Sequence, residues 1–273
     1  MFKKIFNKLG ELTNTYEYIK DNPYIKISNR RSDKEREAIY ESIPTCERYF
    51  SGIVGYEDIK KLLYRAIKTK HNVSYCLVGP PASAKSIFLQ EIERQEKSNS
   101  AYIDGTGASG RGLVETLVNK LNIKYLLIDE IDKMTKKDVT VLYNVLETGR
   151  LTSTKKNFTF DQQFDGLRVF ATSNSRERMP KPLLSRITTL LVPEYNLEEF
   201  QEINRRLLTK RFGLSTAVSD MISLGVWNKI RSKDIRKVIT IAKLVDIKDT
   251  QQDIDWLIDT HAKHNIGESE FDS

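Results

Sequence analysis

The stretch that decides the fold is GPPASAKS, from Gly79 to Ser86. A phosphate-binding loop is written G-x-x-x-x-G-K-[ST], and Gly79, Lys85 and Ser86 fall where that pattern wants them, with Ala84 in the place of the second glycine. Phosphate binding needs backbone N–H groups at a helix N-terminus, a cation for the β and γ phosphates and a hydroxyl for magnesium. Lys85 and Ser86 supply the last two. An alanine at 84 costs about 1 kcal/mol if that residue must turn left-handed, and little if it already starts the helix in a right-handed conformation. The loop follows the β-rich run VSYCLV (73–78) and opens a helical stretch at 85–96, so the alanine reads as a tolerated variant.

Outward from the loop, strands and helices alternate. SAYID (100–104), KYLLID (124–129), LRVFAT (167–172) and ITTLLV (187–192) join VSYCLV as β-rich runs, and helical stretches lie around 57–69, 85–96, 111–121 and 137–147. Strands joined by helical crossovers make a mostly parallel sheet covered on both faces, so the fold class is α/β, a parallel five-stranded P-loop core. After Pro193 the β-rich runs stop, and NLEEFQEINRRLLTKRF, TAVSDMISLGVW, SKDIRKVITIAKLV and QDIDWLIDTHAKH read as helices, a small C-terminal helical lid domain. The expected organisation is a basic N-terminal leader over 1–49, the nucleotide-binding domain over 50–194, the lid over 195–248, and an acidic helix and tail over 249–273. In the leader, Phe2, Ile5, Phe6 and Leu9 stand at helical spacing, as in a short helix packed on its own domain.

The second half of a nucleotide site lies in YLLIDEID, 125–132. This buried strand delivers Asp129 and Glu130 at its C-terminal end, where ligands of an open α/β sheet bind. Asp129 would hold magnesium together with Ser86, and Glu130 would polarise the attacking water.

Bulk properties exclude several classes. With 39% hydrophobic and 30% charged residues, the chain of 273 residues has a soluble globular composition. No run approaches the eighteen or so apolar residues of a membrane span, and the basic start MFKKIFNKL lacks the apolar core of a signal peptide. Cys46 and Cys76 are too few for a disulfide framework or zinc site, which suits a cytoplasmic setting. Residues 249–273 carry seven acids against Lys263, a charge of −6, which leaves +13 on residues 1–248 from the net +7. A basic body is compatible with nucleic acid. His261 and His264 stand i, i+3 on the last helix, but with no third ligand evident they read as surface histidines.

GPPASAKS, IDEIDKM (128–134), TSN (172–174) and LLSRI (183–187) together resemble an AAA+ ATPase, and in detail the minichromosome maintenance (MCM) helicases, in whose loops alanine before the lysine is usual. GIVGYEDIKKLL before the loop and VLYNVLETGRL after the acids are similar to the RuvB branch-migration motors. The resemblance spans about residues 50–245. It implies ATP and Mg2+ as ligands, with Lys85, Asp129, Glu130, Asn174, Arg186 and Arg236 as the catalytic set. Asn174 matches the sensor that orients the lytic water, Arg186 the arginine finger that reaches a neighbouring subunit, and Arg236 the lid arginine, with Arg231 as a nearby competitor. Gly79, Pro80, Pro81, Ala82, Ser83, Ala84, Lys85, Ser86 and Ile87 would cradle the phosphates, and Ile53, Val54 and Gly55 would pack on adenine. Ser86 and Asp129 would be the magnesium ligands. An arginine acting in trans implies a homo-oligomeric ring, a hexamer.

What such a ring would act on is less plainly written. RLTSTKKNFTF (150–160) has two β-prone arms around Lys155, Lys156 and Asn157, where helicase-like relatives carry a DNA-contacting hairpin. The glycine-rich loop GTGASGRG (105–112) stands where such rings place a pore loop, and it lacks the aromatic that protein-unfolding rings use. DNA is thus the first expectation, with binding supplied by this chain or by an auxiliary subunit. The alternative is a chaperone-like ring of the MoxR kind that remodels a protein complex.

Overall fold

The computed structural model describes residues 45–120, 122–155, 158–246 and 248–264. Of these, 45–80 and 84–192 form one compact unit, and 81–83 with 193–264 another.

In the first unit, α1 (Thr45–Tyr49) and α2 (Glu57–Lys68) precede β1 (Val73–Val78). Then come α3 (Lys85–Gln95), β2 (Ser100–Asp104), α4 (Gly110–Asn119), β3 (Tyr125–Asp129) and α5 (Lys136–Thr148). The hairpin strands β4 (Arg150–Lys155) and β5 (Phe158–Gln163) lead to β6 (Arg168–Ser173), the short α6 (Lys181–Leu184) and β7 (Thr188–Leu191). The five main strands form one parallel sheet in the order β2-β3-β6-β1-β7. Helical crossovers impose the parallel direction, and the five β-rich runs of the sequence are these five strands within one or two residues.

Alternate side chains of the strands point to opposite faces. Cys76, Val78, Ala101, Ile103, Leu126, Ile128, Val169 and Ala171 share one core with Leu113 and Leu117 of α4 and Val139 and Leu142 of α5. The residues between them, Leu77, Leu127 and Phe170, are equally buried, as a sheet covered on both faces requires. The helix ends are written in the sequence. Ser109 caps α4 by accepting from Gly112 N–H, Thr135 caps α5 by accepting from Asp138 N–H, and Gly149 closes α5 with φ 73.

The second unit contains α7 (Leu197–Phe212), α8 (Thr216–Asn228), α9 (Ile235–Ala242) and α10 (Gln251–His264). A reciprocal capping box of Asn196 and Glu199 starts α7, and Gly213 ends it in a left-handed conformation. Asp234 caps α9, which begins three residues later than the pattern SKDIRKV alone suggested. Phe200 meets Trp227 with ring centroids 5.3 Å apart, and Arg205 forks onto Asp220 at 3.1 and 3.0 Å, which joins α7 to α8. Gly225 lets α10 approach α8 closely, since a Cβ there would meet Ile258 side-chain atoms at 2.7 Å. Among the described residues no helix is long and apolar enough to cross a membrane.

Candidate functional site

The strand order sets the site. It inserts β6 between β1, which ends in the loop, and β3, which ends in the acids, so Thr172 and Asn174 stand between the loop and the acids. Gly79 N–H donates to Ser173 O at 3.2 Å, which ties the start of the loop to the end of β6.

Lys85 is the first residue of α3 and is 6% exposed. Its ammonium donates to Gly79 O at 2.9 Å and Pro80 O at 2.5 Å. Burial lowers its pKa from 10.5, and the charges of Asp129, Asp132 and Glu130 oppose that shift. The four groups therefore share one electrostatic neighbourhood. Ala84 has neither left-handed nor right-handed helical angles, with φ 17 and ψ 2. The left-handed residue of the loop is Ala82, at φ 64. The helix nevertheless starts on schedule, with Phe88 N–H donating to Ala84 O at 3.1 Å.

Asp129 is the hub of the acidic half. Its Oδ1 accepts from Ser86 Oγ at 2.9 Å and from the Thr172 hydroxyl, and its Oδ2 accepts from Tyr102 OH at 2.8 Å. Thr172 Oγ1 in turn accepts from Glu130 N–H at 2.8 Å. Glu130 is left-handed, at φ 50 and ψ 49, a conformation that costs a non-glycine residue about 1 kcal/mol and is held here from both sides. Its Oε1 accepts from Asn174 Nδ2 at 3.1 Å, and Asn174 N–H donates to Asp132 Oδ1 at 3.3 Å. The second oxygen of Asp132 is buried without a hydrogen-bond partner. One connected run thus links Ser86, Asp129, Thr172, Glu130, Asn174 and Asp132.

Four participants were not assigned from sequence: Tyr102, Gly105, Asp132 and the hydroxyl of Thr172. Gly105 N–H donates to Asp129 O at 2.7 Å, and a Cβ on Gly105 would lie 2.3 Å from Glu130 O. Only the strand order makes Tyr102 and Thr172 neighbours of Asp129, so no spacing along the chain could have signalled them. Gly105 stood in a stretch already marked by its glycines.

Other candidate residues lie elsewhere. Arg186 forks onto Glu147 at 2.9 Å, donates to Pro182 O and stacks on Tyr143 at 5.3 Å, an engagement with the α5 surface rather than with Lys85 or the acids. Arg236 donates to Asp234 at 2.9 and 3.0 Å within the second unit and is 77% exposed. Ile53 and Val54 are buried, Gly55 turns left-handed at φ 71, and Ile87 sits partly exposed on the first turn of α3. The hairpin of β4 and β5 pairs antiparallel from Arg150↔Gln163 to Lys155↔Phe158; Lys156 and Asn157 lie outside the described residues, as do Phe2, Ile5, Phe6 and Leu9. His261 Nδ1 lies 2.8 Å from Leu257 O on its own helix. Both cysteines are free and buried, and burial pushes the Cys76 thiol up to about 12.

The residues present fit magnesium. A hydroxyl and a carboxylate 2.9 Å apart are hard oxygen donors, and Mg2+ in nucleotide sites takes one or two such groups and completes its shell with water and phosphate. Ser86 and Asp129 would hold it. Among the described residues no group of three or more His, Cys, Asp or Glu able to hold a metal gathers.

Comparison with known proteins finds likenesses in sequence and in fold. The family model for the MCM P-loop domain matches residues 34–161. The chain is 31% identical over 121 residues to DNA replication licensing factor mcm7-B of Xenopus laevis, covering 35% of this chain and 17% of the relative. It is 27% identical over 182 residues to the Lon protease of Clostridium acetobutylicum, covering 58% of this chain and 23% of that protein. The chain thus matches well under half the length of either relative. Among solved structures, the RuvB Holliday junction branch migration motor of Thermotoga maritima superposes with a TM-score of 0.55 at 21% identity, covering 78% of this chain and 71% of that one; the likeness concerns the fold. The core of the chain thus resembles the MCM P-loop domain in sequence and RuvB in fold.

Proposed function

We propose that this chain binds ATP with magnesium and hydrolyses it at subunit interfaces of a hexameric ring, and that hydrolysis drives translocation on, or remodelling of, DNA. The observation that carries the reading is the hydrogen-bonded run from Ser86 through Asp129, Thr172 and Glu130 to Asn174.

Phosphoryl transfer asks a protein chiefly for positioning and preorganised charge. Lys85, the first residue of its helix, places an ammonium beside the loop that cradles the phosphates. Magnesium, when bound, supplies positive charge to the phosphate oxygens. Glu130 accepts a proton from the attacking water, and Asn174, bonded to its Oε1, fixes the direction of that carboxylate. Arg186 lies on the exposed side of the first unit, paired with a Glu147 that is itself half exposed, a position from which it would serve a neighbour's site. Arg236 would act from the lid, and Ile53, Val54 and Gly55 would line the base.

DNA as the substrate is supported by the MCM P-loop match, the +13 charge of residues 1–248 and the hairpin β4–β5. The similarity to a Lon protease favours a second reading, in which the ring remodels a protein complex. Mixing tests the shared site. Lys85→Ala and Arg186→Ala proteins, each inactive alone, should regain ATPase activity together; an active monomer whose specific activity is independent of concentration would refute it. Salt-sensitive stimulation by DNA, lost when Lys155 and Lys156 become alanine, would support the DNA motor. No response to any DNA form, with a response to a co-purifying protein, would support the second reading.

A further inference from the structure

The nucleotide reading assigns no work to Tyr102, yet this side chain holds the hub of the site. In the parallel pairing of β2 with β3, Tyr102 sits opposite Leu127, and Asp104 opposite Asp129. Tyr102 and Asp129 therefore lie on the same face, one strand apart and two residues offset, a reach that a phenol spans. The Tyr102 hydroxyl donates to Asp129 Oδ2 at 2.8 Å. The other carboxylate oxygen is taken by Ser86 and Thr172. A carboxylate torsion is broad and roughly two-fold, so donors on Oδ1 alone leave the plane free to swing about that oxygen. A donor on Oδ2 fixes it. The same strand end grips Asp129 from its backbone side, since Gly105 N–H donates to Asp129 O at 2.7 Å.

We propose that Tyr102 is a positioning residue for magnesium, acting through Asp129: its hydroxyl sets the plane of the carboxylate and thereby which oxygen faces the ion. The inference rests on the nucleotide reading above. Groups that orient a metal ligand from outside the coordination shell commonly change metal affinity by about 10–100-fold when removed.

The test uses the full-length chain and Tyr102→Phe, which keeps the ring and removes only the hydroxyl. Affinity for a fluorescent ADP analogue is measured in EDTA and across a magnesium titration. Nucleotide affinity in EDTA should stay within about two-fold of wild type, while the half-saturating magnesium concentration rises about ten-fold. Equal magnesium dependence in the two proteins would overturn the role of Tyr102 alone, as would a parallel loss of affinity in EDTA, which would mark a merely structural side chain. Tyr102→Leu, which also removes the ring edge, should shift the magnesium midpoint at least as far. A wild type that binds no adenine nucleotide under either condition would overturn the nucleotide reading together with this one.

Discussion

Replacing Gly105 with alanine is the sharpest perturbation the structure offers. A Cβ built there meets Glu130 O at 2.3 Å, Asp129 O at 2.8 Å and Glu130 C at 2.9 Å, all main-chain atoms of the two acids. No side chain can rotate away to make room. Reaching ordinary contact near 3.4 Å requires the end of β3 to move from Gly105 by about 1 Å, which also stretches the bond from Gly105 N–H to Asp129 O. Overpacking of this kind costs about 1–3 kcal/mol, which at about 2–4 °C per kcal/mol is a visible fall in the unfolding midpoint. If Asp129 and Glu130 carry the proposed hydrolysis, the loss of rate is larger, because displacing catalytic groups by about 1 Å costs on the order of 100-fold. Steady-state ATP hydrolysis beside thermal unfolding separates the two effects: kcat should fall far more than the loss of folded protein explains. Gly107→Ala is the control, since nothing lies within 4 Å of a Cβ at that position. Wild-type turnover in Gly105→Ala, or an equal defect in Gly107→Ala, would refute the reasoning.

Thr172→Val removes a hydroxyl that donates to Asp129 and accepts from Glu130 N–H; ATPase turnover should fall by at least about 10-fold, with nucleotide affinity in EDTA little changed. Lys60 is buried, with its side chain 3% exposed, and pairs with Glu47 at 2.9 Å. Lys60→Met should destabilise the protein by about 3 kcal/mol in denaturant unfolding, because an acid is left without its cation, and adding Glu47→Leu should recover most of that loss. The hydroxyl of Thr135 and the N–H of Gly110 hold the Asp138 carboxyl below its usual 3.8. A depressed acid contributes stability above its unfolded pKa that is lost as the pH falls through the folded one. The melting-temperature gap between wild type and Asp138→Ala, open at pH 7, should therefore narrow below about pH 4, and a constant gap would show that the charge plays no part.

The fold was legible because its signals are local. Five runs such as YLLID and VSYCLV are β-rich at strand length, and helical stretches separate them. In the candidate site, Lys85, Ser86, Asp129 and Glu130 were singled out by what phosphate, metal and water demand and Asn174 by the resemblance alone, and the structure brings the last four into one hydrogen-bonded run. Tyr102, Thr172 and Gly105 were not, since their roles arise only when β2 and β6 flank β3. Around 84 the chain takes neither of the two conformations set out from the sequence: Ala84 has φ 17 and ψ 2, and the left-handed residue is Ala82. Lys60 illustrates the same limit. On an amphipathic helix beginning EDIKK it reads as a solvent-facing lysine, yet α1 folds over it and supplies Glu47.

The most direct measurement is the affinity of the full-length chain for a non-hydrolysable ATP analogue with magnesium, determined by calorimetry for wild type and for Lys85→Ala. The geometry predicts a saturable one-to-one isotherm for the wild type that weakens sharply when Lys85 is removed. Absence of binding in the wild type, or an identical isotherm in the variant, would contradict the assignment of Gly79–Ser86 and Asp129–Glu130 as the two halves of a nucleotide site.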